Sequence, residues 1–217
     1  EAPLQAALGR LSAAHGQQHG MLVADVLALE GVLPIISGTG FDILINNSAG
    51  PAGGALLGAN DDQLLDVFRQ HVLGNQQLVR AIVPGMQSRQ WGRIVNIIST
   101  SVKEPITMLG VSNTIRGAVA SWAKTLAGEL AADGITVNNV LPGYTRTQRL
   151  EQILKERAAA TGKSEENIAA AMLATVPVAR FADAEEVAHA VAFLCQPQSG
   201  YINGINLPVD GGRTKSL

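Results

Sequence analysis

Residues 92–100 read GRIVNIIST, with Ile94, Val95, Ile97 and Ile98 interrupted only by Asn96 and followed by Ser-Thr. A strand covered on both faces has no polar side to show, so it reads as a nearly continuous apolar run rather than an alternation. On the upstream side, over 60–89, Leu64, Leu65, Phe68, Val72, Leu73 and Leu78 recur at helical spacing, and Asn60 with Gln63 fits a capping box. On the downstream side, over 112–132, Ile115, Val119, Trp122, Leu126 and Leu130 form an apolar stripe. Helices this long cannot serve as hairpin loops, so the strands they join are parallel neighbours reached by right-handed crossovers. Similar runs at 21–26, 42–46, 135–141 and 205–209 are predicted strands, and Asp183 with Glu186 caps a helix running to about Cys195. The pattern predicts an α/β fold: a Rossmann-like, doubly wound parallel sheet with helices on both faces.

Composition narrows the function classes. At 217 residues and 47% hydrophobic, the chain can bury one sizeable core and is expected to form one domain over 1–217. A net charge of −2 supplies no electrostatic reason to bind nucleic acid or an anionic membrane. No apolar run approaches the roughly 20 residues that span a bilayer. Cys195 is the only cysteine, so no internal disulfide forms and a reducing, cytoplasmic compartment is expected. His15, His19 and His189 have no metal-ligand spacing to each other or to Cys195, and no metal site is expected. The chain opens on Glu1 with no basic-then-apolar signal, so the native start is expected to lie upstream, and 1–16 reads as a helix. The charged, helical stretch 146–175 follows a strand's C-terminal end, where a lid is expected.

Open parallel sheets bind ligands beyond the carboxyl ends of their strands. That places Asp25, 46–50, 99–109 and 142–147 at the expected site. The segments DILINNSAG (42–50), GRIVNIIST (92–100), GITVNNVLPGYTRT (134–147), PVARFADAEEVAHAVAFL (177–194) and YINGINLPVDGG (201–212) carry a resemblance. In this order and at these spacings they resemble the short-chain dehydrogenase/reductase family, in particular its 3-oxoacyl-acyl-carrier-protein reductase-like members. The resemblance spans about 21–213. It implies NAD or NADP lying across the strand ends and a small-molecule carbonyl/alcohol pair as substrate. By resemblance, Asp25 contacts the adenine, Asn46 and Asn47 start the NNAG turn, and Pro142, Gly143 and Thr147 hold the nicotinamide end. Ser99 matches the serine that hydrogen-bonds the substrate carbonyl. The family also pairs its two long helices, here 60–89 and 112–132, so a homodimer or homotetramer is implied.

Two departures bear on chemistry. The family's first strand and its GxxxGxG loop, whose backbone amides hold the pyrophosphate, are absent from this chain; the glycines at 50, 53, 54 and 58 read as loop. Weak dinucleotide binding by the chain as it stands is therefore expected. Where the family has a YxxxK pair for proton transfer, this chain reads SNTIR, Ser112 to Arg116. A serine hydroxyl is a far weaker acid than a phenol, and an arginine stays protonated, supplying charge and ribose hydrogen bonds rather than a proton. His71 stands where the family has an asparagine that anchors a relay water, and Ala49 where a glycine is usual. Tyr144, Lys103, Glu104 and His71 are candidate substitutes for the proton donor, weighed against a turn aromatic, a solvated loop pair and a helix-face histidine satisfied by a backbone carbonyl. Two readings stay open: an oxidoreductase with altered proton transfer, and a dinucleotide-binding or structural relative without turnover.

Overall fold

The computed structural model describes residues 2–216. Two short helices, α1 (Ala2–Leu8) and α2 (Leu33–Thr39), precede the first strand, β1 (Ile43–Asn46). There follow α3 (Asp61–Phe68), α4 (Gly74–Arg89), β2 (Gly92–Ile97), α5 (Gly110–Leu130) and β3 (Ile135–Pro142). The chain then runs through α6 (Gln148–Thr161), α7 (Glu165–Leu173), α8 (Ala184–Cys195) and β4 (Asn206–Val209). The strands form one parallel sheet in the order β1-β2-β3-β4. Every connection is a crossover, as the spacing predicts.

Successive side chains of a strand face opposite sides, and β2 uses both. Ile94, with Leu44, Ile135 and Val137, packs under α4 and α5 against Val79, Ile82, Val83, Met86, Ala123, Leu126 and Leu130. Val95, with Val140, packs against Val187 and Leu194 of α8. That two-sided cover is why GRIVNI carries no polar alternation. β1 differs: Leu44 and Asn46 are buried, while Ile43 and Ile45 remain 42% and 39% exposed on the uncovered side.

One asparagine from each strand, buried in β1, β2 and β3 and half-buried in β4, links the sheet laterally. Asn46 Nδ2 donates to Asn96 Oδ1, Asn96 Nδ2 to Asn139 Oδ1, and Asn139 Nδ2 to Asn206 Oδ1, each at 2.8 Å. The four residues are aligned in strand register. Buried amides are costly unless paired, so this ladder favours one register over its neighbours. Asn46 Oδ1, at the β1 end, is buried without a partner.

Several expectations need correction. Residues 21–26 form no strand: among the described residues no strand flanks them, and Leu22 and Val23 are exposed. An apolar run without a neighbour has nowhere to place its backbone hydrogen bonds, and here the chain turns locally, with Ala28 N–H donating to the Asp25 carbonyl at 2.9 Å. The helix expected over 1–16 ends at Leu8, since none of its side chains is buried to hold it further. The helix expected over 60–89 begins with its capping box at Asn60 and Gln63, but a π turn at Arg69–Leu73 interrupts it. The extra residue turns His71 and Val72 inward and leaves Leu73 45% exposed. The stretch 146–175 is helical, as α6 and α7, around a small cluster of Leu150, Ile168 and Met172 with Tyr144 and Phe181.

Candidate active site

Above the carboxyl ends of β1, β2 and β3 lies a crevice of about 550 Å³. Its floor is built from 47–50, Ile97, Ile98 and 142–145; α6 contributes Arg149, Leu150 and Ile153, and α8 contributes Ala184, Val187 and Ala188. Asn47, Pro142, Gly143 and Thr147 all line it. The Thr147 side chain also caps α6, accepting from Leu150 N–H at 3.4 Å. Asn46 lies beneath, its side chain committed to the asparagine ladder.

Arg116 is 7% exposed, and its guanidinium donates to the carbonyls of Ile97 (3.1 Å) and Ser48 (3.3 Å), both residues of the crevice wall. Burial lowers its pKa to about 10, which leaves the group protonated near neutrality. Ser99 follows Ile98 directly; its hydroxyl oxygen accepts from Ser101 N–H at 3.1 Å. A hydroxyl engaged as acceptor keeps its own hydrogen for another partner. Ser112 lies one helical turn before Arg116 on the same face of α5 and is half-buried. Asp25 is not among the residues that line the crevice; it is exposed, and its carboxylate accepts from Leu27 N–H at 2.9 Å.

His71 is 2% exposed, and its ring donates to the Ala49 carbonyl while Nε2 has no partner. Burial, with the nearby Arg116 charge, lowers its pKa to about 4 against the weaker opposing pull of the Ala49 bond. Neutral His71 and cationic Arg116 therefore brace the 47–50 turn from below. Asn113, not singled out from sequence, accepts from Ile106 N–H (3.3 Å) and donates to its carbonyl (2.9 Å), pinning the loop after Ser99 to α5.

Glu104 is tied to the C-terminal segment: its carboxylate accepts from the backbone N–H groups of Lys215 (2.6 Å) and Ser216 (2.8 Å). The Arg213 guanidinium stacks 4.7 Å from the Tyr144 ring centre and donates to Thr100 Oγ1 at 3.2 Å. These long-range contacts of the C-terminal segment carry no local sequence signal. Among the described residues no group of three His, Cys, Asp or Glu side chains is placed to hold a metal ion.

The chain matches the family model described as "Enoyl-(Acyl carrier protein) reductase" over residues 10–214. It is 30% identical to the 3-oxoacyl-[acyl-carrier-protein] reductase FabG of Vibrio harveyi, over 95% of this chain and 81% of that protein. It is 31% identical to the NADPH-dependent reductase BacG of Bacillus subtilis, over 81% of this chain and 68% of that protein. Among solved structures, L-sorbose reductase from Gluconobacter frateurii, complexed with NADPH and L-sorbose, superposes with a TM-score of 0.91 at 29% identity. That match covers 100% of this chain and 85% of the reductase.

Proposed function

The chain belongs to the short-chain dehydrogenase/reductase family, and we propose that it is an NAD(P)-dependent oxidoreductase interconverting a small carbonyl compound and its alcohol with an altered proton-transfer apparatus. The observation that carries this reading is a crevice lined by Asn47, Ile97, Ile98 and the Pro142–Gly143 turn, with Arg116 donating to the Ile97 and Ser48 carbonyls and Ser99 next after Ile98 in the chain. The two NADPH-linked relatives favour NADPH as the working cofactor.

The crevice suits the nicotinamide end of such a cofactor. Its volume of about 550 Å³ lies within the range of small-molecule sites, no carboxylate lines it, and a buried guanidinium sits under its floor. Asn47, Pro142, Gly143 and Thr147 would hold that end, and Arg116 would supply positive potential. When bound, the nicotinamide exchanges a hydride with the carbonyl carbon.

The rest of the chemistry belongs to the chain. Ser99, accepting from Ser101 N–H, donates its own hydrogen to the substrate carbonyl oxygen and favours the charge that develops there. Arg116 adds a fixed cation that needs no reorganisation during the reaction. Ser112 is too weak an acid to relay the proton, so water supplies it. The absence of a tuned side-chain acid costs about 10²–10⁴-fold, which is compatible with slow turnover. The α6–α7 pair, carrying Leu150 and Ile153 on its crevice side, acts as the lid that limits water. Leu65, Phe68 and Leu73, each at least 36% exposed along α3 and the π turn, provide the apolar face for pairing with a second copy.

The test is NADPH oxidation with a panel of ketones and aldehydes, comparing wild type with Ser99→Ala, alongside fluorescence titration of NADPH. Oxidation that falls about 10²–10³-fold in the variant with cofactor affinity unchanged supports the reading. Cofactor binding with no turnover of any carbonyl supports the non-catalytic alternative suggested by SNTIR. Failure of NADPH and NADH to bind the full-length protein, with its upstream segment present, removes both.

A further inference from the structure

Arg69, Arg89, Arg146 and Arg180 each sit 2.6–3.2 Å from a carboxylate. Three arginines around the crevice differ: Arg149 lines it, Arg116 and Arg213 contact residues that line it, none of the three has a carboxylate partner among the described residues, and no Asp or Glu lines the crevice. Arg116 is spent on two carbonyls of the floor, and Arg149 donates to the Pro51 carbonyl at 3.0 Å. Arg213 is placed differently. It bridges Thr100, which follows Ser99, and Tyr144, which follows the Pro142–Gly143 turn and lines the crevice. Its charge therefore stands over the carboxyl ends of β2 and β3, where parallel sheets take their ligands.

The segment carrying Arg213 is fastened on both sides. Asp210 accepts from Gly212 N–H (3.0 Å) and Thr214 N–H (2.8 Å), and Glu104 accepts from Lys215 and Ser216. Burial opposes the charge on Asp210, but hydrogen bonds from Thr214, Gly212 and Arg213 outweigh it and hold the carboxyl below its usual range. Gly143 lets the segment pass: a Cβ there would lie 2.7 Å from the Asp210 Cα. Asp210 and Glu104 thus serve backbone amides and leave the guanidinium without a carboxylate partner among the described residues. A cation held in place without a counter-charge is a pre-formed anion site.

We infer that Arg213 anchors an anionic group of the substrate, so that the carbonyl compound is an oxo acid with its carbonyl at Ser99 and its carboxylate at the guanidinium; this rests on the crevice being a carbonyl-reducing site.

Acetoacetate, 2-oxobutanoate and 4-oxopentanoate are each compared with their methyl esters, by calorimetric binding to the protein with saturating NADPH and by NADPH oxidation. At least one acid is expected to bind about 10–100-fold more tightly than its ester, the range of a charge-assisted hydrogen bond. Arg213→Gln is expected to abolish that preference, weakening acid binding far more than ester binding, while Arg213→Lys retains part of it. The inference is overturned if wild-type protein binds every ester as well as its acid, a comparison that needs no variant. It is also overturned if Arg213→Gln weakens acid and ester alike, as a plain cross-link would, or leaves the acid preference intact. Arg213-dependent acid binding without NADPH oxidation would keep this inference and remove the reductase reading. Equal reduction of acids and esters would do the reverse.

Discussion

His71 offers a quantitative handle on the region beneath the crevice. Its ring is 2% exposed, one nitrogen is committed to the Ala49 carbonyl, and the Arg116 guanidinium is nearby. Burial first, and the Arg116 charge second, disfavour a protonated ring, which is why the pKa falls to about 4 from the 6.5 of an unperturbed histidine. Above pH 6.5 the residue is neutral in both folded and unfolded chains and its titration contributes nothing to stability. Between 6.5 and 4 the unfolded chain takes up a proton that the folded chain refuses, so stability falls as the pH falls and the loss levels off below 4. Worked through, the loss is about 1 kcal/mol at pH 5.5 and roughly 2–3 kcal/mol at pH 4.5. Urea unfolding of wild type and His71→Asn at pH 7.5 and 4.5 isolates this contribution, because the other titrating groups cancel in the difference. Wild type is expected to lose roughly 2–3 kcal/mol more than the variant over that interval. Parallel losses, within about 0.5 kcal/mol, would refute a buried neutral His71.

Other consequences follow from the same geometry. Asn96→Leu strands Asn46 Nδ2 and Asn139 Oδ1 without partners inside the sheet; at about 1–3 kcal/mol each, a loss of roughly 2–6 kcal/mol is expected in chemical denaturation. Asn206→Ala removes only the terminal rung and should cost about half as much. The pair Ser112→Tyr and Arg116→Lys supplies a phenol and an ammonium four residues apart on α5, and should raise turnover about 10²–10⁴-fold with a new pH dependence; no gain would place the first turn of α5 away from the substrate carbonyl. Phe68→Glu puts a charge on the exposed apolar face of α3, and sedimentation should show a smaller species than wild type.

The sheet was largely legible because its signals are local. The run at GRIVNI falls within one residue of β2, and the capping residues Asn60 and Asp183 mark the true starts of α3 and α8. The run at 21–26 misled because apolar character alone does not make a strand; a strand needs a neighbour, and none flanks it among the described residues. The π turn at His71 was not readable, since one inserted residue leaves the average helical period nearly intact. The asparagine ladder depends on register, which no single segment carries. At the site, Asn47, Pro142, Gly143 and Thr147 were singled out through the family resemblance, and all four line the crevice. Arg213 and Asn113 were not singled out as site residues, and the bonds from Glu104 to the C-terminal segment were not foreseen, because these contacts arise from chain segments brought together only by the fold.

The most direct test follows the hydride itself. Each C4-deuterated epimer of NADPH is incubated with the protein and a reducible carbonyl compound, and the alcohol product is examined by mass spectrometry and NMR. Deuterium is expected on the carbinol carbon from one epimer only, appearing about 10²–10³-fold more slowly with Ser99→Ala. Product without deuterium from either epimer, or an unchanged rate in the variant, would contradict hydride transfer beside the Ser99 hydroxyl.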